Sequence, residues 1–377
     1  MADRATRKAV DRRTILRTLG VGSVAGLAGC LGGDGGNGSG GSGNGSDGGG
    51  SGGSGGDGNT QYNWVIGTSS DGTTAHTSGV AFSEVINEHS NMIQMSAQTT
   101  GGTGASLALM AQGENETGTI STVLVDRANR KVAPFEDIEA TITQAFSYLT
   151  LDFHLMKNQE AGLNDVETVN DIPPDTPMSW GQRQGTNFEV AVEAMKLSGI
   201  ENPTEYFTNL RDISVADQAE AMRGGRVDII MPYTANLTSK LGWVQELDST
   251  VDIEPVNFSY SKEELQNSEL PVAYGEISPD VWNQDVSKPA VALVTGYLVG
   301  FPASTDQKAV YEFTKTILDN SGQVNGFADY LKKLSPEFAL EWLLKNNNGP
   351  VHPGAEQYYK ENDLWTDDLL SLEEYEG

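Results

Sequence analysis

The sequence predicts an α/β protein of two layered domains with a ligand cleft between them, carried behind an export signal and a flexible tether. Three observations carry that expectation. Strand-like runs alternate with amphipathic helical runs from Tyr62 onward, residues 61–377 are long enough for two ordinary domains, and two apolar strands read as domain crossings. The first crossing is centred on Leu149, Leu151, Phe153 and Leu155, and the second is Ala290–Phe301. The division that follows places residues 61–150 and 287–377 in one domain and 151–286 in the other. A chain that leaves a domain and returns makes a double hinge, which can close over a ligand.

The first thirty residues differ from the rest. Six basic residues (Arg4, Arg7, Lys8, Arg12, Arg13, Arg17) precede the apolar run Leu19–Gly29, which is about half the length of a membrane-spanning helix. That pattern is a signal peptide over residues 1–29. Asp11-Arg12-Arg13-Thr14-Ile15-Leu16 resembles a twin-arginine export signal, and Leu27-Ala28-Gly29-Cys30 resembles a lipobox. Cys30, the only cysteine, is therefore the expected lipid attachment site, which would hold the protein on the outer face of the cytoplasmic membrane with its folded part extracellular. A chain with no second cysteine forms no internal disulfide.

Residues 30–60 form the expected tether. Its Gly, Ser, Asn and Asp cannot bury enough apolar surface to offset the entropy of ordering. The coil has a reach of about 30 Å. Loss of residues 1–29, with six Lys/Arg and two Asp, leaves 18 Lys/Arg against 50 Asp/Glu, a net charge of −32. That balance excludes nucleic acid as a partner and matches a surface adapted to high salt, as in a halophile. Asn115, Asn236 and Asn257 begin Asn-x-Ser/Thr sequences.

Periodicity then gives the elements in order. Tyr62–Gly67 reads as a strand, 77–88 as a helix with Phe82, Val85 and Ile86 inward, and Met92–Ala97 as a strand. Ala105–Gln112 reads as a helix and Thr119–Thr122 as a short strand. The crossing at Leu149–Met156 alternates apolar with polar residues, as a half-buried strand does. Pro177–Gly181 is a strand, followed by a helix that buries Phe188, Ala191, Val192 and Met195. Ser214–Asp217 opens another helix, Val227–Met231 is a buried strand, and Ser261–Glu264 forms a capping box. After Ala290–Phe301, Ser304–Gln307 opens a helix with Val310, Phe313 and Ile317 inward.

Ligand contacts are expected where Gly/Ser/Thr-rich turns lie between strand ends and helix starts. The first turn of a helix leaves its N–H groups unpaired and carries partial positive charge, which suits an anion. Gly101-Gly102-Thr103 and Gly185-Thr186-Asn187 each precede a helix. Thr68, Ser69, Thr73 and Thr74 form a further loop of this kind. Gln182 and Arg183 join the set, with Arg183 the cation able to pair with a carboxylate. Ser121, Thr122 and Tyr233 follow strand ends and offer hydroxyls. His352, in a His-Pro-Gly turn, reads as structural. The four histidines (His76, His89, His154, His352) are scattered without ligand spacing, and within residues 61–377 neither a Gly-x-Ser-x-Gly elbow nor a Walker loop occurs. A non-enzymatic protein without cofactor or metal is the expectation.

Four stretches resemble the TAXI family of solute receptors of TRAP (tripartite ATP-independent periplasmic) transporters. They are Ile66-Gly67-Thr68 through Gly79, Thr100-Gly101-Gly102-Thr103 with Gln112-Gly113, Trp180-Gly181 to Gly185-Thr186 with Ala221–Asp228, and Val351-His352-Pro353-Gly354-Ala355 with Tyr358-Tyr359-Lys360-Glu361. The resemblance implies a periplasmic-binding-protein fold of the second type. It also implies capture of a small acidic solute, an amino acid or a dicarboxylate such as glutamate, for an ion-gradient-driven permease. The sequence departs from the family pattern at Gly72-Thr73-Thr74-Ala75-His76 and at Gln182-Arg183-Gln184. An ATP-driven importer or a membrane sensor would use the same fold, and gene neighbourhood separates these partners.

Overall fold

Strand β1 (Tyr62–Gly67) turns Trp64 and Ile66 into the core, and everything that positions the site is laid against it. The computed structural model describes residues 61–375 apart from 184, 269, 346 and 347. The expected signal, Cys30 and the tether lie outside the described residues. Helix α1 (Thr74–His89) starts earlier than its apolar periodicity implies, because the Thr73 side chain accepts a hydrogen bond from the His76 N–H and caps it. Phe82, Val85 and Ile86 are fully buried, as their spacing requires. Then come β2 (Ile93–Gln98), α2 (Thr103–Ala111), β3 (Thr117–Ser121) and α3 (Thr122–Asn129). Helix α2 also begins two residues early, at Thr103 after Gly102.

Strand β4 (Ile142–Phe153) is buried along its whole length, not on alternate residues. Its Thr143, Gln144, Ser147, Thr150 and Asp152 side chains survive burial because they are paired. The Asp152 carboxylate accepts from Thr150 Oγ1 at 2.8 Å, Thr234 Oγ1 at 3.0 Å and the Leu237 N–H. The expected continuous crossing breaks at His154, after which β5 (Leu155–Asn158) joins a different sheet. Strand β6 (Met178–Ser179) leads to α4 (Thr186–Leu197), whose inward face carries Val190, Ala191, Ala194 and Met195; Phe188 and Val192 are only half-buried. Beyond α5 (Pro203–Tyr206), Ser214 Oγ donates to Asp217 at 2.6 Å in a single 3₁₀ turn that opens α6 (Gln218–Arg223).

The next strand is short, β7 (Ile229–Ile230), followed by β8 (Tyr233–Ala235), α7 (Gly242–Thr250) and β9 (Ile253–Val256). Helix α8 (Lys262–Gln266) carries the capping box expected at Ser261 and Glu264. Strands β10 (Ala273–Ile277) and β11 (Ala290–Pro302) precede α9 (Gln307–Asp319), which is capped by Asp306 rather than Ser304. Short helices α10 (Ser321–Val324) and α11 (Phe338–Glu341) lead to α12 (Pro353–Glu361).

Seven strands form a larger sheet in the order β2-β1-β3-β11-β4-β8, with β10 paired to the first half of β11. Parallel pairing joins β1 to β2 and β3, whereas β11 runs antiparallel to β3, β4 and β10. A smaller sheet has the order β6-β7-β5-β9. The chain passes between the sheets at His154 and again at Met231–Pro232, and the His154 N–H donates to the Pro232 carbonyl at 3.2 Å. An aromatic cluster of Trp64, Phe82, Phe146, Phe301 and Phe313 fills the larger sheet's helical side. Among the described residues, no helix is long and apolar enough to cross a membrane. Asn115 and Asn236 are buried, which closes both to a glycan.

His352 caps α12: Nδ1 accepts from the Gly354 N–H at 3.1 Å and Nε2 faces the Thr305 carbonyl at 3.2 Å. Burial lowers its pKa from 6.5 to about 4, and burial does the same to His154. Asp152 moves oppositely, from 3.8 to about 6, because desolvation outweighs its hydrogen bonds. Between about pH 4 and 6 the unfolded chain holds two histidine protons that the native state refuses, while the native state holds one Asp152 proton that the unfolded chain lacks. The unfolded state therefore binds about one proton more, so stability falls on acidification by about 1.4 kcal/mol per pH unit from these groups. His352→Asn keeps a capping side chain and removes one histidine. Urea titrations at several pH values should show its pH slope shallower than wild type by about 1.4 kcal/mol per unit in this window; parallel profiles refute the assignment.

Candidate functional site

Three helix N-termini converge on one cavity of about 530 Å³. Helix α1 contributes Thr73, Thr74 and Ala75 with the preceding Ser69, Ser70 and Asp71; α2 contributes Gly101, Gly102 and Thr103; α4 contributes Gln182, Arg183, Gly185, Thr186 and Asn187. The floor is made by strands: Leu151 of β4, Tyr233 of β8 and Tyr297 of β11. Asp212, Ser214, Val215 and Ala216 complete the wall.

Each N-terminus is shaped by its local sequence. At α2, Gly102 has φ 138°, a backbone state that side chains oppose, and Thr100 Oγ1 donates to its carbonyl at 2.8 Å. At α4, Gly181 has φ 91°, and a Cβ there would lie 3.2 Å from Asn187 Cβ. Neither α1 nor α2 has an acidic residue in its first turn, so their partial positive charge faces the cavity, alongside the carboxylates of Asp71 and Asp212 at its rim. The first turn of α4 holds Glu189, but its carboxylate pairs with Arg127 at 2.9 Å and lies outside the cavity lining.

Thr74, Thr103, Thr186, Asn187, Tyr233 and Tyr297 are buried, whereas Asp71, Gln182, Arg183 and Asp212 are exposed at the rim. Thr103 Oγ1 lies 3.3 Å from Thr186 Oγ1, which joins α2 to α4 across the floor. Tyr297 lines the cavity beside both threonines, and burial raises its pKa to about 12, so its hydroxyl stays protonated. A register shift between β11 and β4 falls just after Tyr297, the kind of irregularity that re-aims a side chain. Arg183 lies over the Phe188 ring at 5.3 Å, which anchors the guanidinium at the rim. The Asn187 amide turns toward the Met231 carbonyl at 3.5 Å.

Thr68, Ser121 and Thr122 do not line the cavity. Thr68 is fully buried behind α1, with Oγ1 donating to the Gln98 carbonyl at 2.9 Å. Ser121 caps α3, and Thr122 Oγ1 bonds Thr295 Oγ1 at 3.1 Å. All three hydroxyls follow strand ends, but their side chains point into packing rather than into the cleft. In the other direction, Tyr297, Leu151, Asp71 and Asp212 escaped sequence reasoning as site residues. Tyr297 sits inside an apolar run that reads only as core. Among the described residues, no group of three or more His, Cys, Asp or Glu is placed to hold a metal ion.

The sequence profile of the NMT1-like family matches residues 66–362, most of the chain and all of the cavity-forming elements. No match to a curated protein was found. Among solved structures, the chain is similar to a binding-protein component of an ABC phosphonate transporter from Pseudomonas aeruginosa. That pair has 10% identity and a TM-score of 0.47, covering 73% of this chain and 80% of the other. A ligand-binding component of an ABC-type import system from Staphylococcus aureus, solved with zinc bound, has 11% identity and a TM-score of 0.44, covering 84% and 98%. A TctC solute-binding protein from Polaromonas has 13% identity and a TM-score of 0.39, covering 74% and 88%.

Proposed function

Given a chain that belongs to the NMT1-like family, we propose that it is an extracytoplasmic solute-binding protein that captures a small acidic solute and hands it to a membrane transporter. The observation that carries this reading is the convergence of three helix N-termini and Arg183 on one cavity of about 530 Å³. Such a lining offers N–H and hydroxyl donors to a carboxylate without a counter-charged lysine cluster. The volume suits an amino acid or a dicarboxylate better than a large cofactor.

The two domains in this reading are residues 61–150 with 287–377, which supply most of the larger sheet, and residues 151–286, which supply the smaller sheet and lend β8 and β10 to the larger one, and the cavity is the cleft between them. Closure buries the solute against α1, α2 and α4, and a ligand shifts open and closed states only by its differential affinity. The finer assignment is a TAXI receptor of a TRAP transporter, held on the outer face of the membrane through Cys30 and serving an ion-gradient-driven permease. A permease gene beside this one supports that partner, and an ATPase or kinase gene replaces it with an importer or a sensor.

A thermal-shift screen of L-glutamate, L-aspartate, succinate and neutral analogues in multimolar KCl tests the solute class. At about 100 times Kd, a ligand adds about 2.7 kcal/mol, a rise in melting temperature of several degrees. The acids should stabilise, the neutral analogues should not, and the stabilising solute should be recovered chemically unchanged. Stabilisation by neutral solutes alone overturns the acidic reading, and turnover overturns the non-enzymatic one.

A further inference from the structure

A row of contacts running from the cavity floor outward holds α4 against the layer of the larger sheet. Thr186, Glu189 and Glu193 stand at i, i+3 and i+7 on α4, which places them on one face. Each meets a group from the other side of the cleft. Thr186 faces Thr103 of α2, Glu189 lies 2.9 Å from Arg127 Nη1 of α3, and Glu193 lies 4.0 Å from Arg127 Nη2. Val123, Val190 and Leu293 pack around the pair in a small pocket separate from the solute cavity.

The chemistry of Glu189 makes this contact conditional. Its side chain is 20% exposed, burial pushes its carboxyl pKa up, and Arg127 opposes that push. A carboxylate in this position is tolerated while the guanidinium stands beside it. Without Arg127 the unpaired charge would be relieved by moving α4 away and letting water in. Opening the cleft does that, because Arg127 and Glu189 belong to opposite walls.

We propose that Arg127, acting through Glu189 and Glu193, is a positioning residue that sets how far the cleft closes, and through closure the solute affinity, without touching the solute. The proposal rests on the two-domain reading above. On this proposal the ion pair and the hydroxyl contact bias the cleft toward closure independently of solute.

Hydrogen exchange on the full-length, ligand-free protein tests this without any knowledge of the solute. Arg127→Gln should raise exchange of the amides in Thr103–Ala111 and Thr186–Leu197 about ten-fold and leave β1 unchanged. The double variant Arg127→Gln, Glu189→Gln removes the stranded carboxylate and should return exchange most of the way to wild type. Lost packing of the arginine stem predicts no such rescue. Unchanged exchange in Arg127→Gln, an equal rise in β1, or failure of the double variant to recover each overturns the latch. If Arg127→Gln is silent while Tyr297→Phe speeds exchange at α2 and α4 alone, the latch falls and the two-domain reading stands. If both variants are silent and mild urea strips protection from both sheets in one step, the two-domain reading falls with it.

Discussion

Replacing Arg183 with glutamate is expected to weaken solute binding about 100-fold, a loss of about 2.7 kcal/mol. The guanidinium is anchored over Phe188 at the cavity rim, so its fork is presented rather than free. A charge-assisted contact to a carboxylate contributes about 1.5–3 kcal/mol, and reversal adds repulsion beside the exposed Asp71 and Asp212. Arg183→Lys keeps the charge and loses the fork, so it should fall between wild type and the reversal. Calorimetric titration with the solute identified by thermal shift reads both. Binding by Arg183→Glu within three-fold of wild type would place the solute on the cavity floor, out of reach of the rim.

Gly354→Ala is expected to destabilise the fold by about 3 kcal/mol. Gly354 lies in the first turn of α12, where that helix crosses α9. A Cβ there would collide with the Gln307 carbonyl oxygen and come within 2.6 Å of the Tyr311 backbone nitrogen. Both are helix backbone, so no side-chain rotation relieves the clash and the two helices must separate. That separation pulls on the Tyr359 hydroxyl, which donates to the Ala145 carbonyl of β4 at 2.7 Å. Urea unfolding should show a lower midpoint with an unchanged slope; a midpoint within experimental error of wild type would mean that α12 is free to shift.

The same His-Pro-Gly segment shows how much of the molecule was legible in its sequence. The turn residues announced a rigid junction, and His352 and Gly354 provide one, but their partners on α9 and β4 are far away in the chain. Element type was plain where either period or a cap spoke, the apolar spacing at α1 and the capping box at α8. The starts of α1 and α2 were less plain, because Thr73 and Gly102 act as caps only when the loop before them is folded. The Gly/Thr turns at α2 and α4 pointed to the cavity for a local reason, since unpaired N–H groups follow from helix geometry alone. Tyr297 was hidden for the opposite reason. Its polarity is one hydroxyl within the apolar run Ala290–Phe301, and the register shift that accompanies it exists only when β11 lies beside β4. Asp152 was likewise unreadable as buried, because its partners Thr234 and Leu237 come from a later strand and turn.

The position of β11 has a consequence for how the chain is made. Strands β3 and β4 are near neighbours in sequence but are not paired with each other; each bonds to an edge of β11. During synthesis from the N-terminus both edges therefore stand open until the segment ending at Pro302 has left the ribosome. Pairings this distant in sequence are slow to form and leave strand edges exposed to other chains meanwhile. Nascent chains truncated before residue 290 should aggregate, and those extended past Pro302 should become resistant to protease in the larger sheet. For this protein, acquiring its central strand is a late event, and about the first four-fifths of the polypeptide must be kept apart from its neighbours until then.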